Sequence, residues 1–123
     1  MSFNLLVVDD DYSLRMFYSR LLRIDGYNVR SAPHGKEALS VIEKNGTIDL
    51  LISDIEMPVM NGIELVKVLK EKESKIPVLF ISGTEDNSKI HELRNLGCNN
   101  YLKKPVRLST LRENVKNILE QAK

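Results

Sequence analysis

The chain has a single cysteine, Cys98, so neither an internal disulfide nor a Cys-pair metal site can form, and the thiol reads as a small, half-buried side chain. Long apolar runs are missing as well. No stretch approaches the roughly 20 residues that a membrane-spanning helix needs. The opening Met1-Ser2-Phe3 lacks the basic region and apolar core of a signal peptide. These absences predict a cytoplasmic protein with no membrane insertion. Nor is there an excess of one charge: 18 Lys and Arg against 17 Asp and Glu leave +1, too little for bulk attraction to nucleic acid or to anionic lipid. Repeats, low-complexity segments and Pro/Gly/Ser-rich linkers are absent too. The 123 residues therefore read as one domain, residues 1 to 123, long enough to bury roughly two-thirds of its unfolded surface.

What is present is alternation. Short apolar runs at about Asn4 to Val8, Asn28 to Ser31, Leu50 to Ser53, Val78 to Ile81 and Asn100 to Lys103 are separated by segments of helical period. That order is the signature of an α/β domain, a (βα)5 unit in three layers: a doubly wound parallel sheet with helices on both faces. The first, third and fourth runs are unbroken Leu, Val, Ile and Phe, as strands covered on both sides require. Leu14, Phe17, Tyr18, Leu21 and Leu22 form one helical stripe that stops at Gly26; Ala38, Leu39 and Ile42 form a second, ending at Gly46. Ile63, Val66 and Leu69 follow Gly62, and Ile90 and Leu93 lie between Asp86 and Asn95 with Gly97 as the stop. The last stripe is Leu108, Leu111, Val115, Ile118 and Leu119, with Thr110 and Glu113 spaced as a capping box. These apolar stripes read as core.

Function is then expected at the carboxyl ends of the strands, where open parallel sheets bind ligands. The first strand ends in Asp9, Asp10 and Asp11, the third in Asp54, the fourth in Ser82 and Gly83, and the fifth in Lys104 and Pro105. Three carboxylates 4 to 6 Å apart would repel by roughly a few kcal/mol per pair at an effective dielectric near 20, so they call for a cation. The donors are all hard oxygens without His or Cys, which selects Mg²⁺, with Mn²⁺ as the alternative, over zinc. Mg²⁺ takes one or two carboxylates and keeps its other positions for water and phosphate oxygens, so a phosphoryl group is the natural second ligand. A carboxylate so placed can act as a nucleophile and form an aspartyl phosphate. Asp11 reads as an acidic helix start and His34 and His91 as solvated surface residues. Met57 and Met60 read as packing around the loop after Asp54.

The runs Val7-Val8-Asp9-Asp10-Asp11, Asp54-Ile55-Glu56-Met57-Pro58-Val59-Met60-Asn61-Gly62, Ser82-Gly83 and Tyr101-Leu102-Lys103-Lys104-Pro105 together resemble the receiver domain of bacterial two-component response regulators, in particular CheY-like single-domain regulators. The resemblance covers essentially the whole chain, in order. It implies a flavodoxin-like sheet of strand order 2-1-3-4-5, and Asp54 as acceptor of a phosphoryl group from a sensor histidine kinase or phosphotransfer protein. Asp9, Asp10, Asp54 and the backbone carbonyl of Glu56 would bind the metal, Asp9 through water. Lys104 and Ser82 would hold phosphoryl oxygens, Ser82 and Tyr101 would form the switch, and the Lys104-Pro105 bond would be cis. Val106 and Ser82 replace the commoner Phe and Thr without changing the class. Glu56 and Thr84 occupy positions that influence phosphoryl lifetime, and Glu56 is equally readable as a solvated loop charge.

The output surface is expected on the face of the fourth helix, fifth strand and fifth helix. Residues 1 to 62 carry nine acids against six bases, whereas residues 98 to 123 carry Lys103, Lys104, Arg107, Arg112, Lys116 and Lys123 against Glu113 and Glu120. A downstream protein target should dock on this basic end. Two other classes fit less well. A phosphohydrolase needs a general acid and a cap, for which the length leaves no room, and a flavodoxin-like cofactor binder needs a Ser/Thr/Gly-rich phosphate loop where Asp9, Asp10 and Asp11 would repel phosphate. With no linker or DNA-binding helix-turn-helix behind the last helix, the expected form is a free-standing regulator without catalytic turnover beyond its own phosphotransfer and dephosphorylation.

Overall fold

Side chains alternate along each strand, and the first strand sends Leu5 and Val7 into one apolar cluster and Leu6 and Val8 into another. The computed structural model describes residues 2 to 121; Met1, Ala122 and Lys123, the last counted among the basic residues above, lie outside the described residues. The elements run β1 (Asn4–Val8), α1 (Tyr12–Ile24), β2 (Asn28–Ala32), α2 (Gly35–Asn45), β3 (Leu50–Ser53), α3 (Gly62–Glu71), β4 (Val78–Ser82), α4 (Asn87–Asn95), β5 (Asn100–Lys103) and α5 (Leu108–Gln121). The five strands pair in parallel in the order β2-β1-β3-β4-β5.

Helices α1 and α5 cover one face, where Tyr18, Leu21, Leu22, Leu111, Val115, Ile118 and Leu119 meet Leu5, Val7, Leu50, Ile52, Leu79 and Ile81. Helices α2, α3 and α4 cover the other, packing Ala38, Ile63, Leu65, Val66, Leu69 and Leu93 on Leu6, Val8, Leu51 and Phe80. Central strands are thus buried on both sides, while the edge strands β2 and β5 keep exposed positions. A bidentate pair, Arg112 Nε to Asp25 Oδ2 at 3.0 Å and Nη2 to Oδ1 at 2.8 Å, fastens the end of α1 to α5. No helix among the described residues is long and apolar enough to cross a membrane.

Several expectations need correction. Phe17 and Leu108 continue apolar stripes, yet they are 49% and 39% exposed, because each lines an open groove rather than the packed core, Phe17 with Lys104, Pro105 and Val106 and Leu108 with Phe3 and Tyr27. Thr110 caps nothing: α5 has already begun at Leu108, and the Thr110 carbonyl accepts from the Asn114 side chain at 2.8 Å. His34 is not a solvated bystander. It is the N-cap of α2, and its Nδ1 accepts the Glu37 N–H at 3.2 Å, satisfying a donor that the helix start leaves free. Strand β4 runs one residue further than expected and so includes Ser82.

Candidate functional site

The strand register brings the acidic ends together. Asp9 follows β1 and donates its N–H to Ala32 at 3.2 Å, while the Asp54 N–H reaches back to the Val8 carbonyl at 3.0 Å. Both residues therefore remain on the sheet rim. Asp9 is 2% and Asp54 8% exposed, and Asp10 beside them is exposed. One carboxylate oxygen from each of the three lies within 4.8 Å of the others. Ionised carboxylates at that spacing repel by roughly 3 kcal/mol per pair at an effective dielectric of 20, so their arrangement needs compensating charge.

Lys104 supplies it from the end of β5. Its Nζ lies 2.9 Å from Asp54 Oδ2 and 3.1 Å from Asp9 Oδ2. Burial pulls the ammonium down, but the Asp54 and Asp9 carboxylates more than offset that and hold it above the ordinary lysine value. Burial raises the Asp9 carboxyl, and the Asp11 N–H, at 2.9 Å from Oδ1, and Lys104 recover only part of the cost. The other Asp54 oxygen, Oδ1, accepts the Ile55 N–H at 2.6 Å and the Glu56 N–H at 3.3 Å. Such fixed donors orient the carboxylate toward the rim.

The donor set fits a hard divalent cation: three carboxylates of which two are buried, no His or Cys among them, and an ammonium already placed to neutralise the remainder. Ser82, 1% exposed, ends β4, the strand paired beside β3. Its hydroxyl accepts the Thr84 N–H at 3.2 Å, and its carbonyl accepts both the Lys104 N–H at 2.9 Å and the Tyr101 hydroxyl at 3.2 Å. Tyr101 is half-buried and packs against the α2, α3 and α4 side of the core. The Lys104-Pro105 bond is cis.

The β3–α3 loop carries three further features. Gly62, the first residue of α3, donates to the Ile55 carbonyl at 2.8 Å and sits against Asp54 itself. Val59 adopts φ +68 with 70% of its surface exposed, in a turn closed by Met60 N–H to the Pro58 carbonyl at 2.7 Å. A β-branched residue is strained there. Val59→Gly should accordingly raise stability by about 1 kcal/mol, read as a higher urea midpoint; a midpoint at or below that of the parent protein would rule the strain out. Glu56, finally, turns its side chain toward Thr84 and Lys89. Thr84 and then Lys89 hold its carboxyl below the usual range.

Some contributors carried no sequence signal. Arg15 Nη1 donates to the Asp9 carbonyl at 2.8 Å, and Ser53 Oγ to the Asp54 carbonyl at 2.7 Å. Both brace the backbone beneath the carboxylates. Arg15 could have been suspected only from its place one turn beyond Asp11, and Ser53 only as a polar residue ending a buried strand.

A family model described as the response regulator receiver domain matches residues 5–116. Among curated proteins, the probable transcriptional regulator ycf29 of Porphyra purpurea is 38% identical over 124 residues, spanning 97% of this chain and 57% of that protein. The response regulator SaeR of Staphylococcus aureus is 32% identical over 121 residues, spanning 98% and 52%. The chain thus spans about half the length of the curated relatives it matches. Among solved structures, a CheY-like response regulator receiver domain protein from Methanospirillum hungatei superposes with a TM-score of 0.91 at 29% identity, covering 99% of this chain and 97% of that one. The chemotaxis protein CheY4 of Vibrio cholerae gives 0.87 at 32% identity, covering 96% and 99%. With an acidic pocket at the strand ends, a 2-1-3-4-5 parallel sheet and a family match across nearly all of its length, the chain belongs to the response regulator receiver domains of two-component systems.

Proposed function

We propose that this receiver accepts a phosphoryl group on Asp54 from the phosphohistidine of a sensor kinase or phosphotransfer protein, and signals through the face built by α4, β5 and α5. The observation that carries this reading is the bridging ammonium of Lys104 between Asp54 and Asp9, in a pocket otherwise made of carboxylates. In the transfer, the bond from phosphorus to the donor imidazole nitrogen breaks as a bond to an Asp54 carboxylate oxygen forms, and the imidazole leaves with the electron pair. Such transfers pass through a loose transition state and are accelerated by positioning and charge neutralisation. Ile55 and Glu56 N–H groups fix the nucleophile, Lys104 steadies the incoming oxygens, and Asp9, Asp10 and Asp54, with the Glu56 carbonyl, would hold Mg²⁺ or Mn²⁺. The metal, when bound, supplies neutralising charge to the phosphoryl oxygens.

The product replaces about one negative charge by nearly two and adds acceptor oxygens. Ser82 then gains a partner for its hydroxyl hydrogen. Because the Ser82 carbonyl is held by Lys104 and Tyr101, a shift of Ser82 is felt directly on β5, beside the basic residues that a downstream protein target would meet. The chain in this reading is a signalling protein that turns over only its own phosphoryl group. Incubation with Mg²⁺ and acetyl phosphate, followed by intact mass measurement, should show one phosphoryl increment that is lost in Asp54→Asn; an increment surviving in Asp54→Asn would place the acceptor elsewhere.

A further inference from the structure

Glu56 is tied across the mouth of the site to α4. Its Oε1 lies 3.2 Å from Lys89 Nζ in the first turn of that helix, and the Thr84 hydroxyl also hydrogen-bonds its carboxylate. That hydroxyl serves twice, because it accepts the Asp86 N–H at 3.1 Å. Asp86 is in turn the N-cap of α4, with its side chain accepting from Ser88 N at 2.9 Å and its carbonyl from Lys89 N at 3.2 Å. Thr84 is also the residue whose N–H holds the Ser82 hydroxyl at 3.2 Å. A closed circuit thus runs from Thr84 through Glu56 to Lys89 and back through Asp86, with Ser82 attached to it by the Thr84 N–H.

We propose that Glu56, Thr84 and Lys89 form a tie that restrains the β4–α4 loop, opposes the movement of Ser82 toward a modified Asp54, and transmits that movement to α4 when it occurs. The inference rests on the reading of Asp54 as phosphoacceptor. Ser82 cannot approach Asp54 without drawing on the Thr84 N–H, and Thr84 cannot follow without loosening either its bond to Glu56 or its bond to the helix cap. The Glu56 side chain in this role is a positioning group: while the backbone N–H meets Asp54, the carboxylate bonds Thr84 and Lys89 and acts through Thr84. The tie also makes α4 the first element to be displaced, since its N-terminal turn holds both Lys89 and the residues capped by Asp86. The Lys89–Glu56 pair is partly exposed, with side chains 37% and 56% accessible, so it is a weak and readily broken restraint.

The test uses Lys89→Met, Glu56→Gln and the double variant. In the unmodified protein, hydrogen exchange of the amides of residues 84 to 90 should be about two- to fivefold faster in each single variant, the range expected for losing an exposed ion pair. The double variant should add little, because both changes break one interaction. With Mg²⁺ and beryllofluoride as a phosphoryl mimic, Lys89→Met should bind the mimic about two- to fivefold more tightly, since the tie no longer has to be broken. Unchanged exchange, or faster exchange with unchanged or weaker mimic binding, would overturn the proposal. If the parent protein itself takes neither beryllofluoride nor a phosphoryl group, the reading of Asp54 is what fails. Faster exchange in the variants would then leave the tie as a structural restraint and overturn its switching role.

Discussion

Replacing Lys104 by methionine is expected to slow phosphoryl transfer to Asp54 about 100-fold and to lower stability by about 3 kcal/mol when no divalent cation is added. Both effects have one origin. The ammonium is the positive group that meets Asp54 and Asp9, at 2.9 and 3.1 Å, and methionine keeps much of its volume while deleting its charge. Two buried carboxylates would then face each other with Asp10 beside them, and the Asp11, Ile55 and Glu56 N–H donors would offset only part of their repulsion. Removing one partner of a buried ion pair is costly for that reason, whereas the intact pair need not stabilise much.

The pH dependence separates the charge from the packing. Lys104 is held above the ordinary value of 10.5 in the folded protein, so the stability it contributes is complete below that value and is lost as pH rises through the folded one. Asp9 runs the other way: its carboxyl is raised by burial, so ionising it costs stability as pH climbs past the ordinary carboxylate range. In urea unfolding, the parent protein should lose its Lys104 contribution at alkaline pH, and Lys104→Met should lack that step. Added Mg²⁺ should recover more stability in the variant than in the parent protein. A transfer rate within threefold of the parent's, or an alkaline loss of stability as large in the variant as in the parent, would contradict this account of Lys104.

Much of this arrangement was legible in the sequence because it follows from burial. Leu5 to Val8, Leu50 to Ile52 and Val78 to Ile81 are unbroken apolar runs, which only strands covered on both faces tolerate. Once the strands were placed, the rule that ligands meet the carboxyl ends of parallel strands brought Asp9, Asp54, Ser82 and Lys104 to one rim, although Lys104 stands 50 residues from Asp54. Helical spacing also gave the buried side of each helix. It could not say how far a neighbouring element extends over that side, so Phe17 and Leu108 were placed inside and are found outside.

Partners that depend on tertiary distance were not readable. Glu56 could have competed for metal or remained solvated; its pairing with Lys89 depends on where the first turn of α4 falls relative to the β3–α3 loop. The His34 cap depends on which residue happens to precede the first helical turn, and a histidine is an uncommon choice beside Ser, Thr, Asp or Asn. Thr110 and Glu113 had the spacing of a capping box, but the helix began two residues earlier. Short polar motifs describe a local option that packing then takes or refuses.

Gly62→Ala should be the most damaging single-methyl change in the loop, lowering stability by about 3 kcal/mol. A Cβ there would run into the Asp54 carbonyl oxygen and stand 2.8 Å from Phe80 Cε1 and 3.1 Å from Ile55 Cα. Two of these neighbours are backbone, and Phe80 is 1% exposed in the core, so none can swing aside as a flexible side chain would. The Gly62 N–H is also bonded to the Ile55 carbonyl at 2.8 Å, which prevents α3 from simply moving off. Relief must come from shifting Asp54 itself, and a displacement near 1 Å would cost transfer about 100-fold. Gly83→Ala provides the contrast. Its Cβ would meet only Lys104 Cβ, at 3.9 Å, an ordinary contact, so the fold should tolerate that change with a urea midpoint close to the parent's. If Gly62→Ala unfolds at the same urea concentration as Gly83→Ala and is phosphorylated at the same rate, the close approach of α3 to Asp54 is not what requires glycine at this position.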